Sequence, residues 1–122
     1  SIWEGSGNIQ CLDVLRALAR EADCAPAFFS ELASVRGGHA ALDAEASALR
    51  QALRAPPATL EAEARRLVER LAIALQAATL LRGDPVVAEA FCASRLGGGH
   101  GVAFGTLSPG PAFERLLARA LP

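Results

Sequence analysis

Apolar residues in this chain recur every three or four positions and nowhere alternate with polar ones over the length of a strand. Ile9, Leu12, Leu15, Leu18 and Ala22 predict a first helix from about Asn8 to Ala22, broken by Asp23-Cys-Ala-Pro26. Asp23 can cap the second helix, Ala27 to Val35, whose inner face is Phe28, Leu32 and Val35 and whose end is marked by Gly37-Gly38. A third, from about Ala40 to Arg54, lines up Leu42, Ala46, Leu49 and Leu53 and stops before Pro56-Pro57. Thr59 followed by Glu61 and Glu63 reads as a cap with acidic residues in the first turn. It predicts one long helix from Leu60 to Leu81, striped by Leu60, Ala64, Leu67, Leu71, Ala74, Ala78 and Leu81, with Glu61, Arg65, Glu69 and Arg70 facing away. Beyond Val68 that helix is apolar nearly all round, which marks it as the central strut.

Asp84 as N-cap and Pro85 at the first helical position open a fifth helix, with Val87, Phe91 and Leu96 inward and Gly97 as its stop. Gly97 to Gly110 is glycine-rich and aperiodic, a loop. A last short helix runs from Ala112 to Ala120 with Phe113, Leu116 and Leu117 apolar. No segment repeats. The predicted class is all-α: an antiparallel helical bundle of about four principal helices plus shorter ones, in a single domain of 122 residues. The hydrophobic fraction of 52% suits a globular core. No apolar run reaches the roughly eighteen residues of a membrane span, and no signal-peptide layout is present. A cytoplasmic protein without a membrane partner is the expectation. Net charge is −1, so no global field draws nucleic acid or anionic membrane, although every one of the 12 basic residues is Arg. Cys11, Cys24 and Cys92 are odd in number and lack metal-ligand spacing, and are read as free thiols.

Chemistry concentrates at the start of the chain. Glu4 lies among Gly5, Ser6, Gly7 and Asn8, read as a short loop running into the first helix. The glycines allow close approach of a ligand to the backbone, and Ser6 or Asn8 can cap the helix behind. A carboxylate, free N–H groups and the positive end of a helix dipole in one small space can abstract a proton or bind an anion. A capped helix start with an incidental Glu accounts for the same residues.

The stretch IWEGSGNIQCLDVLR resembles the segment of flavin-dependent acyl-CoA dehydrogenases in which an aromatic residue precedes a Glu-Gly-Thr or Glu-Gly-Ser turn and a helix opening with Ile-Gln. Trp3, Ser6-Gly-Asn8 and Cys11-Leu-Asp-Val-Leu-Arg16 are most similar to the bacterial alkylation-response branch, close to isovaleryl-type dehydrogenases. The local match covers about the first fifteen residues, and the rest resembles that branch's helical C-terminal tail more loosely. The resemblance implies that the chain is the C-terminal part of a larger enzyme. Glu4 would be the base that removes the α-proton of an acyl-CoA thioester while a β-hydride passes to FAD. Gly5 and Trp3 would contact substrate, and Ser6 and Asn8 would contact the flavin. Ser6 stands where most members have Thr, Asn8 where many have Gln, and Trp3 where Tyr is usual. Cys11 occupies a position that is often Arg, which removes a phosphate contact. An electron-accepting flavoprotein and further copies of the chain are the implied partners. The apolar girth of the fourth helix adds to the expectation of a symmetric dimer.

Other constellations carry less. Gly97-Gly-Gly-His-Gly101 has neither the preceding strand nor the following Lys of a phosphate loop, and His39 and His100 have no ligand partner at metal spacing. The alkylation-response branch is associated with DNA binding. Arg16 and Arg20 share a flank of the first helix and are the candidate phosphate contacts, whereas the mid-chain arginines are opposed by Glu61, Glu63 and Glu69. A purely structural, oligomer-forming domain is a third class compatible with both.

Overall fold

A computed structural model describes residues 2–96 and 110–121, with side chains from Ser6 onward. The described residues form seven helices and no strand: α1 Ile2–Arg20, α2 Cys24–Ala33, α3 Ala40–Ala52, α4 Pro57–Ala62, α5 Ala64–Gly83, α6 Pro85–Arg95 and α7 Pro111–Ala120. The all-α class expected from the apolar period is thus observed. α5 is the strut. It packs against α1, α2, α3, α4 and α6, while α7 lies on α6.

Five neighbours fit round one helix because its buried face is built from small residues. Leu67 and Leu71 supply bulk at one end, and Ala74, Ala77 and Ala78, all fully buried, let the surrounding helices come close at the other. Phe29 and Leu32 of α2, Leu42 and Leu49 of α3 and Cys92 of α6 complete the buried cluster, with Leu18, Phe28, Val35 and Leu81 packed at its margin. The apolar circumference that predicted self-association is therefore largely covered within the chain. Leu75 is the one large apolar side chain of α5 left exposed, and most of the others lie on α1 and α7.

Four boundaries differ from expectation, each for a local reason. α1 begins at Ile2 rather than Asn8, so the segment read as a loop is helical. Nothing in Ile2–Asn8 forbids helix, and an acidic residue in a first turn favours it. α2 starts at Cys24, with Asp23 in the cap position but making no side-chain cap bond. The long fourth helix is two: α4 and α5 meet at Glu63, whose backbone (φ −103°, ψ 12°) leaves the helical region. The bend lets α4 lie along α1 while α5 keeps its course through the core. Thr59 is inside α4 and caps nothing. Pro56, held in an extended conformation by the proline after it, starts α4 with Pro57 at the first helical position.

The sharp turn after α2 is a glycine requirement. Gly37 has φ +85°, a conformation side chains resist, and its N–H donates to both oxygens of Asp43 at 3.0 and 3.4 Å. At the neighbouring Gly38 a Cβ would lie 3.0 Å from the Val35 carbonyl oxygen.

Asp84 behaves as expected and does more. Its carboxylate accepts the N–H groups of Val86 and Val87, capping α6, and Arg115 Nε and Arg119 Nη1 of α7 reach its other oxygen at 3.3 and 3.5 Å. One carboxylate, 14% exposed, starts one helix and anchors another. Asp84→Ala is expected to cost about 1–2 kcal/mol, mostly from the lost cap, because both arginines are well exposed. Urea unfolding measures it, and a change below about 0.3 kcal/mol would remove Asp84 from that role.

Candidate functional site

The candidate site residues all lie in α1. Trp3, Glu4 and Gly5 are in its first turns, followed by Ser6 and Asn8, which are exposed. In an α-helix residues two apart leave the axis about 200° from each other. Ser6 and Asn8 therefore do not converge on one planar ring in this conformation. Asn8 instead lines a cavity of about 330 Å³ at the α4–α5 bend, together with Glu61, Glu63, Arg65 and Arg66. Its two carboxylates and two guanidiniums leave that lining without the net positive charge that draws an anionic pyrophosphate. The described residues do not, as arranged, fit FAD, and they form no cradle for it.

Gly7 is informative in another way. A Cβ built there would have nothing within 4 Å, so packing does not ask for glycine. Glycine in a helix interior costs about 1 kcal/mol relative to alanine. The start of α1 carries that cost twice, at Gly5 and Gly7, and at Gly7 no contact offsets it. Such conflicts between local propensity and adopted structure are found at functional sites.

The arginines expected to meet phosphate divide. Arg16 donates to Asp13 at 2.8 Å and Arg20 is exposed one turn further on. Arg70, expected to face away, turns inward between α3 and α5 and makes a two-pronged pair with Glu45, Nε to Oε1 at 2.7 Å and Nη2 to Oε2 at 3.1 Å. The Glu45 hydrogen bond raises the Arg70 pKa, with partial burial working against it. Arg82 of α5 similarly binds Glu31 of α2 at 2.8 Å and the hydroxyl of Ser34, the residue that caps the end of α2, at 3.0 Å. These two pairs fix α3 and α2 against the strut.

His39 is held by two neighbours. Its Nδ1 accepts the Ala41 N–H at 3.1 Å as the N-cap of α3, and its Nε2 meets Glu89 of α6 at 3.2 Å, with the side chain 14% exposed. Among the described residues no group of three His, Cys, Asp or Glu side chains is placed to hold a metal. Cys11 and Cys24 are half-buried free thiols. Cys92 is fully buried, and its burial, with Glu89 adding to it, pushes the thiol pKa up. Gly97–Gly101 and His100 lie outside the described residues. No described helix is long and apolar enough to cross a membrane.

One set of residues was not singled out from sequence. Phe29, Arg36, Asp43, Ser47 and Arg50 line a cavity of about 350 Å³ between α2 and α3. Asp43, Ser47 and Arg50 fall on one helix face at spacings of four and three, a signal that was legible but masked by the apolar stripe beside it.

Comparison with known proteins places the whole. The chain is 37% identical over 93 residues to AidB of Escherichia coli strain K12, an acyl-CoA dehydrogenase-family protein. The chain is a homologue of that family protein. The match takes in 75% of this chain and 17% of AidB, so the chain spans under a fifth of its relative's length. No family model matches, and no solved structure does. The acyl-CoA dehydrogenase resemblance read from the first fifteen residues and the relative found over most of the chain point the same way.

Proposed function

We propose that this chain is the C-terminal helical domain of an FAD-dependent acyl-CoA dehydrogenase and supplies Glu4 as the base that removes the α-proton of an acyl-CoA thioester. The observation that carries this is Gly7, helical and unpacked, two residues after the Glu4-Gly5 pair in a chain homologous to an acyl-CoA dehydrogenase-family protein. Glycines at both positions suit a turn against which substrate presses, and they give this stretch of α1 a low helix propensity. In the parent, Trp3 and Gly5 contact substrate, and Ser6 and Asn8 reach the cofactor once that turn forms. FAD is held mainly by parts of the enzyme outside this chain, which is why the described residues build no cradle. The enzyme works in the cytoplasm, passes electrons to a flavoprotein acceptor, and assembles with copies of itself through its helical surfaces.

The test compares full-length protein with the isolated 122 residues. Full-length protein is expected to be yellow and to lose its visible flavin absorbance when an acyl-CoA is added anaerobically. The isolated chain is expected to be folded, colourless and inactive. A full-length flavoprotein that no short, branched or long acyl-CoA bleaches would overturn the dehydrogenase, and stoichiometric flavin on the isolated chain would overturn the placement of the cofactor.

A further inference from the structure

We propose that the groove between α2 and α3 binds a small phosphate-bearing molecule, held by Arg50 and Arg36. The groove encloses about 350 Å³, room for a small organic phosphate, and is lined by polar side chains over an apolar floor of Phe29 and Leu32.

Arg50 is the anchor. Its guanidinium carbon stands over the buried Phe29 ring, 4.4 Å from the ring centre, a cation–π contact that restrains the group. A guanidinium fixed before binding loses less freedom when it grips an anion, and its two-pronged geometry matches phosphate oxygens. Neither Arg50 nor Arg36 has a carboxylate within ion-pair distance among the described residues. Arg16, Arg70, Arg82, Arg115 and Arg119 do, while among the described residues Arg20, Arg54, Arg66 and Arg95 share the unpaired state of Arg36 and Arg50. What distinguishes Arg36 and Arg50 is that both line one cavity.

Ser47 adds a hydroxyl on the same face of α3, where it now donates to the Asp43 carbonyl at 3.2 Å. Asp43 is the one acid in the lining, and it works against an anion. Both of its oxygens are already engaged by the Gly37 N–H, which turns part of its charge to holding the loop. The balance at the Arg50 end is cationic, and that is where the phosphate sits. Arg36, on the turn that follows α2, closes the other end.

Inorganic phosphate is the probe, titrated into the isotopically labelled 122-residue chain at low chloride and followed by amide chemical shifts. Shifts are expected to concentrate at Phe29, Arg36, Ser47 and Arg50, with millimolar affinity for so small a probe. Arg50→Ala is expected to weaken binding about tenfold or more, and Arg36→Ala less. Arg50→Lys, which keeps the charge and loses the fork, should fall between them. Asp43→Asn keeps an acceptor for Gly37 and should tighten binding several-fold. Arg95→Ala makes the same change in net charge on the exposed surface of α6 and should leave affinity unchanged. Equal weakening by Arg95→Ala and Arg50→Ala, or shifts spread over all arginines, would show only diffuse attraction and overturn the site. No dependence on enzyme activity enters, so failure here leaves the dehydrogenase proposal standing.

Discussion

Glu4→Gln in the full-length protein is expected to lower acyl-CoA oxidation by about 10³-fold or more while leaving bound flavin in place. Glutamine has nearly the shape of glutamate and cannot accept a proton, so the substitution removes the base and little else. A positioned general base contributes about 10²–10⁴-fold, and α-protons of thioesters are too weakly acidic to leave without one. Glu4→Asp separates placement from chemistry. It keeps a carboxylate and withdraws it by one methylene, so it should retain some activity with a KM close to the parent's, since a misplaced base slows the step more than binding. Turnover of the Gln variant within a few-fold of the parent's would overturn the catalytic assignment, whatever the flavin content. A variant that loses both flavin and activity is decided by the Asp form: loss of flavin there too would assign Glu4 to holding the fold of the site.

Much of the architecture was legible because helical period and stop signals are local. Asp84-Pro85 placed the start of α6, Ala40 that of α3, and the Leu60-to-Leu81 stripe identified the strut, though as part of a longer helix than α5. What was not legible depended on partners distant in sequence. Arg70 sits on the outward flank of a helical wheel drawn alone. Glu45, 25 positions earlier, brings it inward. His39 looked like a loop histidine beside glycines, and only the docking of α6 gives its second nitrogen a partner in Glu89. Thr59 was misread through competition between local signals. Pro56-Pro57 reaches the same turn first and sets the helix start three residues early. At the candidate site the residue types were visible, because Glu-Gly-Ser-Gly-Asn is unusual before an amphipathic helix. Its geometry was not, since glycine allows helix and turn alike and the sequence between Ile2 and Asn8 holds no breaker.

Leu49→Ala is expected to destabilise the domain by about 2–5 kcal/mol, the largest effect of any single truncation proposed here. Leu49 has 0% of its surface exposed and belongs to the cluster that joins α2, α3, α5 and α6. Leu49 lies wholly inside this close-packed cluster, so its neighbours have little freedom to move into the space left by the lost atoms. A site that cannot collapse keeps its cavity, which places the cost toward the upper part of the range. For a domain whose total stability is about 5–15 kcal/mol, that is a large share, and a fall in Tm on the order of 10 °C follows. Leu75→Ala is the matched control. It removes the same atoms from a helix on the same core, but Leu75 is 40% exposed and opens no enclosed space, so its cost should stay below about 1.5 kcal/mol. Calorimetric melting of the two variants beside the parent decides the matter. Equal shifts would mean that Leu49 does not hold α3 in the core, and the groove between α2 and α3 would lose the backing that holds Arg50 in place.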